Sequence, residues 1–499
     1  MSFNQFIQRY KDKLKCLFRD QGDINKISLK RGLPDGILNE IMDCKPLSVF
    51  IPEEYNGRGV KTHEALAMLS ASSYESLPLS LMMGINGALF LQPVANYAHE
   101  EVKATIFERF MQEGNMGGLM ITEPDYGSDA LRMETSYQQV DQDSSYKISG
   151  TKHWGGLTGQ ADYWLITARK KGKEGNLGRD ISFFIHDSRN GGIKVEEYYN
   201  NLGLHMLPYG RNKIDITVPE EFKLKPRSIG IKMMLDILHR SRLQFPGMGT
   251  GYLKRLLDEA HKHCKERFVG GKSLFNYDQV KKRITRLQSS FTICSAMCAY
   301  TSEQVTMDKD VSSASISANT IKTVTTDLMS NAADSFMQLM GAKGYRLDHL
   351  AGRAFIDSRP FQIFEGSNDI LYQQISESVI KLMRGLKLNN LYEFLSEYKL
   401  TKHSADYFKD ILNFEIDTKM TQDKLVELGE TFSRIISLQL TLKLGENGFN
   451  RQLIENTVET LRSEVHGRMG SFKTDDHSKV VENYEESGSW LQIFSPVRA

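Results

Sequence analysis

A change of hydrophobic period, twice within one chain, constrains this sequence more than any other feature. From residue 3 to about 113, apolar residues recur at helical spacing in segments near 3–18, 34–44, 62–75, 79–97 and 99–113. Gly22, Pro46, Pro52 and Gly57 break the intervals between them. Between about 117 and 220 the pattern changes to short runs of β-branched and aromatic residues: GLMIT, YKISGTKHW, DYWLITARK, ISFFIHD, IKVEEYY and KIDITVP. From 228 the helical period returns in long segments near 230–266, 278–308, 313–340 and 366–386. Helix, sheet, helix in that order predicts a mostly α chain with a central β-domain, not alternating βαβ units. The expected divisions are 1–116 (N-terminal helical), 117–222 (central β), 223–390 (helical bundle) and 391–499 (additional helical). The last holds amphipathic helices at 422–444 and 451–466 and a polar, flexible segment at 470–489.

Charge and cysteine usage narrow the function classes. Lys plus Arg (63) balances Asp plus Glu (62). A net charge of +1 argues against an electrostatic nucleic-acid binder. Cys16, Cys44, Cys264, Cys294 and Cys298 form no CxxC pair, and no His or acid stands near them at metal-ligand spacing. No metal is expected, and a reducing, cytoplasmic location fits. The N-terminus lacks the apolar core of a secretory signal. The apolar run Leu79–Leu91 is about 13 residues, short of the roughly 20 that a spanning helix needs, so a buried helix is expected and no transmembrane segment.

Several motifs are decoys. GMGTG at 247–251 follows no strand and sits in a helical run, so small residues at a close helix crossing explain it. GGKS at 270–273 lacks the upstream half of a phosphate loop. Four other segments are open to two readings. Met120-Ile-Thr-Glu-Pro-Asp-Tyr-Gly-Ser-Asp129 is either a turn whose Thr122 and Ser128 satisfy their own loop or a set of donors for a polar cofactor edge. Trp154 in GTKHW is either a core aromatic or a flat wall against a planar cofactor. QLMGAKGY at 338–345 reads as a helix C-cap in its bland form. In PFQIFEGSND at 360–369, Ser367 opens a helix, and Glu365 is either an exposed acid or a carboxylate raised toward working pH by apolar surroundings, as a general base requires.

Taken together, TEPxxGSD, GTKxW, Glu266-Arg267, QxxGxxGY and IFEGSND stand in the order and approximate spacing of the acyl-CoA dehydrogenase family, which residues 30–390 resemble. PEEYNGRG at 52–59, HEEVK at 99–103 and Leu257-Asp-Glu-Ala260 also fit. The resemblance implies an N-terminal helical domain, a middle β-barrel or sandwich and a C-terminal four-helix bundle, here with an extra helical appendage. It implies FAD as cofactor, held by Met120, Thr122, Ser128, Trp154, Gly156, Arg267, Gln279, Gln338, Gly341, Ala342, Ser367 and Asp369. Arg267 and Gln338 match positions that reach the cofactor of a neighbouring subunit, which implies a homodimer or homotetramer. Acyl-CoA contacts fall on Ser128, His239, Arg242 and Gly366, and the catalytic base on Glu365. Some members carry the base on the helix that here spans 230–260; in the matching stretch, Leu235 to Phe245, only Asp236 is acidic, and it lies before the expected place. The implied reaction is removal of an α proton by Glu365 and of a β hydride by the flavin, with electrons passed to an electron-transfer flavoprotein. A flavin ribityl hydroxyl and the backbone N–H of the base would hold the thioester oxygen. One departure stands out: Gly155-Gly156-Leu157 replaces the usual Ile-Thr-Asn after the tryptophan, so the threonine hydroxyl at the flavin edge is missing. An acyl-CoA oxidase, a flavin monooxygenase of the same fold and a non-enzymatic flavoprotein relative are the competing readings. Met82, Met83, Phe90 and Leu91 either floor an acyl pocket or form a plain core face.

Overall fold

A computed structural model describes residues 1–140, 144–306, 309–417, 419–474 and 480–481. The first helical layer contains α1 (Phe3–Lys15), α2 (Ile24–Ile27), α3 (Asp35–Met42), α4 (Thr62–Glu75), α5 (Leu77–Gly84), α6 (Gln92–Tyr97) and α7 (Glu100–Gln112). A π-helical stretch, Ile85–Leu91, joins α5 to α6. The stretch Leu77–Tyr97 is long and apolar enough to cross a membrane, yet 94% of its most apolar window is buried inside the protein. Met82, Met83, Phe90 and Leu91 are all fully buried, with Phe90 stacked on Phe110, so they form core.

The strands follow: β1 (Gly117–Met120), β2 (Ser136–Gln139), β3 (Ser145–His153), β4 (Tyr163–Lys171), β5 (Leu177–Asp187), β6 (Ile193–Tyr198) and β7 (Gly210–Pro219). They make one seven-stranded sheet in which β4 is the hub. Its first half pairs in parallel with β1 and its second half with β2, while β5 runs antiparallel along it. Asn86 ties this sheet to the helices: its amide oxygen accepts from the Gly117 N–H at 2.7 Å, and its amide nitrogen donates to the Met82 carbonyl at 2.8 Å. A buried amide with both ends used fixes register at little cost.

The second helical layer is α8 (Gly230–Arg242), α9 (Phe245–Glu266), α10 (Asp278–Gln304), α11 (Ser315–Met340), α12 (Leu350–Ser358) and α13 (Asn368–Leu386). A two-stranded hairpin, Phe268–Val269 with Lys272–Ser273, links α9 to α10. Residues 230–266, expected as one helix, divide at Leu243–Gln244, where Pro246 lies in the first turn of α9 and has no N–H to continue the preceding helix. The GMGTG glycines lie inside α9, as expected of a helix crossing. A Cβ on Gly251 would stand 1.9 Å from the Ser70 carbonyl, and one on Gly247 2.9 Å from that of Leu66, so α4 and α9 touch backbone to backbone. Finally come α14 (Leu391–Glu397), α15 (Lys409–Leu412), α16 (Gln422–Glu446) and α17 (Arg451–Phe472). The segment 470–489, expected as polar and flexible, lies mostly outside the described residues, and its first residues close α17.

Candidate active site

The chain between α12 and α13 places one carboxylate against the end of α8. Phe361 and Phe364 pack on Phe245 with ring centroids 5.9 and 6.3 Å away, giving Glu365 an apolar floor. Glu365 and Gly366 both have left-handed backbone, φ 54° and 91°. For glutamate this conformation costs on the order of 1 kcal/mol or more and persists only where the surroundings over-determine it. Two buried cations do so. Arg242 donates from Nε (3.1 Å) and Nη2 (2.8 Å) to the Glu365 carbonyl, and Lys322 donates from Nζ to the Gly366 carbonyl at 2.8 Å. A Cβ on Gly366 would stand 3.3 Å from Arg242 Nη2 and 3.0 Å from Leu371 Cδ2, so glycine leaves room for the clamp.

The Glu365 side chain is only half engaged. Ser241 Oγ donates to Oε1 at 2.9 Å, while Oε2 is buried and has no hydrogen-bond partner among the described residues. Burial pushes the Glu365 carboxyl above the ordinary range, against the pull of Arg242, Ser241 and Lys322. The same burial brings Lys322 down to about 7. An acid with raised proton affinity and one uncommitted oxygen has what a general base needs.

A second cluster surrounds Trp154. The sequence left this residue as core or wall, and at 50% exposed it is not core. Its own backbone is left-handed (φ 56°), and its ring lies 4.5 Å from Tyr199 and 6.1 Å from Tyr209, centroid to centroid. Gly155 faces Met120, where an added Cβ would stand 3.5 Å from Cγ, and the His153 N–H donates to the Thr122 carbonyl at 3.0 Å. Met120 itself is core, leaving only its main chain to offer a ligand. Thr122 and Ser128 make no side-chain hydrogen bond among the described residues, so they do not satisfy their own loop. Ser367 occupies the N-cap of α13 without making a side-chain cap bond, and Asp369 is exposed in the first turn. A Cβ on Gly156 would stand 2.6 Å from Ile85 Cδ1 and 3.5 Å from Tyr209, so this chain fills with hydrocarbon the space that a side chain at 156 would need. Tyr209 ties the two clusters together, because the Glu365 charge adds to burial in raising its phenol.

Other expected residues stand elsewhere. Arg267, Gln279 and Gln338 are exposed. His263 lies within the fields of both Arg267 and Lys343, which puts Arg267 and the 338–343 turn on one surface patch. Gly341 (φ 67°) caps α11, with its N–H on the Met337 carbonyl, and Ala342 follows it on the surface. His239 is not open to the Glu365 cluster. It is buried, Nδ1 meets the Val311 carbonyl at 2.9 Å, and desolvation with nearby Arg242 drives its pKa to about 4, so it is a neutral tie between α8 and the 311 segment.

Two lysines went unassigned from sequence. Lys152, within GTKHW, is fully buried and bonds Glu123 Oε1 (2.8 Å), Thr167 Oγ1 (3.0 Å) and the Ile121 carbonyl (2.9 Å), fixing the start of the TEPDYGSD loop. Lys322 has a visible signal: it is the lone charge in SISANTIKTVTT, a stretch otherwise composed for burial. Two cavities open away from Glu365. One of about 210 Å³ lies behind Tyr199, lined also by Arg31, Asn200 and His205, and one of about 680 Å³ lies between Asp406 and His466.

Comparison with known proteins matches three consecutive regions to acyl-CoA dehydrogenase models: the N-terminal domain over 22–113, the middle domain over 118–215 and the C-terminal domain over 229–380. The chain is 28% identical over 334 residues to a glutaryl-CoA dehydrogenase of Desulfococcus multivorans, covering 64% of this chain and 82% of the relative. It is 25% identical over 376 residues to the probable acyl-CoA dehydrogenase FadE10 of Mycobacterium tuberculosis, covering 73% of this chain but only 57% of that relative. A solved acyl-CoA dehydrogenase complexed with FAD from Bacillus anthracis superposes over 94% of this chain and 88% of its own, with TM-score 0.76 at 17% identity, a likeness of fold.

Proposed function

Because this chain belongs to the acyl-CoA dehydrogenase family, we propose that it carries out FAD-dependent α,β-dehydrogenation of an acyl-CoA thioester with Glu365 as the base. The observation that carries this reading is the buried, unpartnered Oε2 of Glu365, on a loop strained into place by Arg242 and Lys322. The residues present fit the cofactor. Trp154 offers an uncovered aromatic face, and the free hydroxyls of Thr122, Ser128 and Ser367 offer polar contacts for its ring and phosphates. When bound, FAD supplies the acceptor for the hydride equivalent. The protein's part is to hold the α proton's acceptor, Glu365, in a dry, fixed position and to keep water from competing. Arg242, by gripping the Glu365 carbonyl, also fixes the 365–366 peptide and with it the backbone from which an N–H would be offered to a thioester oxygen.

We further propose a homodimer or homotetramer in which Arg267, Gln279, Gln338, Gly341 and Ala342 of one copy complete the cofactor site of another. The support is a surface patch rich in exposed apolar groups, with Tyr345 at 84% and Phe268 at 64% exposure. The proposed electron acceptor is an electron-transfer flavoprotein, and the proposed location is cytoplasmic, supported by five free cysteines.

The test is anaerobic mixing of the flavin-loaded protein with butyryl-, octanoyl-, palmitoyl- and glutaryl-CoA while the flavin absorbance is followed. At least one thioester is expected to bleach the wild type, and Glu365→Gln is expected to retain flavin and bleach at least about 10²-fold more slowly. Normal bleaching by that variant rejects Glu365 as the base. A second reading, acyl-CoA oxidase, draws on one observation: position 156 is closed by Ile85 and offers no hydroxyl to the flavin edge. Hydrogen peroxide release without an added acceptor would select it.

A further inference from the structure

The loop that carries Glu365 is held at both ends by one aspartate. Gln362 Nε2, just before the loop, donates to Asp327 Oδ1 at 2.8 Å, and Asn368 Nδ2, just after it, donates to the same oxygen at 2.7 Å. The other face of Asn368 accepts from Lys322 at 2.8 Å, the lysine that also grips the Gly366 carbonyl. Asp327 is mostly buried, and it is the stronger acceptor for the two amides while it stays ionised, which in burial calls for a paired cation. Its second oxygen accepts from the Tyr372 hydroxyl (2.6 Å) and from Arg434 Nη2 (3.1 Å), and Arg434 also donates from Nη1 to that hydroxyl at 2.6 Å. Arg434 belongs to α16, outside the three matched family regions. The helix is seated tightly: a Cβ on Gly429 would stand 2.0 Å from the Tyr372 carbonyl, so α16 meets the α13 backbone directly. Glu464 of α17 meets Arg434 Nε at 3.3 Å, completing its surroundings.

We infer that Arg434 is a positioning residue for the Glu365 loop: the C-terminal appendage supplies the buried cation that keeps Asp327 able to hold Gln362 and Asn368 together. The inference rests on the reading of Glu365 as the base. Arg434→Met, Arg434→Lys and Gln362→Leu are compared with wild type and Glu365→Gln in the anaerobic bleaching experiment, using whichever of the four thioesters bleaches wild type fastest. Arg434→Met is expected to slow bleaching per bound flavin by about 10- to 100-fold while the half-saturating thioester concentration stays within about twofold. Arg434→Lys should recover most of the rate, because the charge returns. Gln362→Leu, at the partly exposed side of the clamp, should slow bleaching severalfold with an unchanged melting temperature. A purely structural Arg434 would lower melting temperature or flavin content and leave the rate per flavin unchanged. That result, or a normal rate in Gln362→Leu, overturns the inference. Should Arg434→Met yield no flavin-loaded protein, Arg434→Lys and Gln362→Leu decide the matter by the same criteria. Normal bleaching by Glu365→Gln would instead reject the base, whatever the Arg434 variants do, so the two failures are distinct.

Discussion

Three charged side chains at the candidate site, the half-buried Glu365 and the buried Arg242 and Lys322, lie within reach of one another's fields, and each is shifted toward its neutral form chiefly by desolvation. The first consequence is kinetic. Because burial raises the Glu365 carboxyl, the unprotonated base is lost as pH falls through a value above the ordinary 4.5. The bleaching rate should therefore rise with pH along a limb displaced upward from that of an exposed glutamate, as stopped-flow measurements from mildly acidic to mildly alkaline pH would show. The second is thermodynamic. Lys322 titrates at about 7 when folded and near 10.5 when unfolded, so in that window the unfolded chain binds the extra proton and stability increases with pH. Lys322→Met should flatten this slope in urea midpoints measured across the window. Lys152 tests a different point, the worth of a buried pair. Lys152→Met strands the Glu123 carboxylate beside it and should cost about 3–5 kcal/mol by urea denaturation.

Elements were legible in the sequence where pattern is strong and length generous. The long helices and six of the strands stand close to where periodicity put them, whereas β2 and α12 gave no readable signal. SYQQ in β2 is too short and polar to announce a strand, and its pairing with β3 and β4 is supplied by the sheet around it. LAGRAFIDS is two turns long, with a glycine near its start. The candidate site divides in the same way. Glu365 and Trp154 each lie in a dense local signature, whereas Arg242 is singled out only by the family resemblance. Lys322, Asp327 and Arg434 act across 35 residues or more of chain, and no local pattern announces such contacts. The α4–α9 crossing gives a sharp element-level test. Gly251→Ala places a methyl group against the Ser70 carbonyl and should lower stability by at least about 1–3 kcal/mol, read as a fall in melting temperature. Gly156→Thr should be milder, since only the flexible end of Ile85 obstructs it, and Ile85→Val in the same chain should relieve part of the loss.

At the scale of the whole molecule, the appendage and the proposed assembly address different faces. Helix α16 packs on α10 and α13, and α17 on α10, so both lie over the second helical layer. The patch around Phe268 and Tyr345 is left uncovered, with Val269 and Leu347 also about half exposed. Analytical ultracentrifugation should therefore find at least a dimer. Phe268→Asp with Tyr345→Asp should shift it toward monomer and release flavin, while either Arg434 variant should leave the mass unchanged. A wild-type monomer that retains flavin would reject the proposed assembly.

The half-exposed indole at position 154 also gives the chain its own optical reporter. Of the three tryptophans, Trp490 lies outside the described residues and is removed for this measurement by Trp490→Phe; Trp164 is sealed in the sheet and should emit in the blue, whereas Trp154, half exposed, should emit toward the red. Occupation of the adjoining face by a yellow chromophore would then quench the red component first, making apoprotein reconstitution visible as a progressive change in emission colour without any added label.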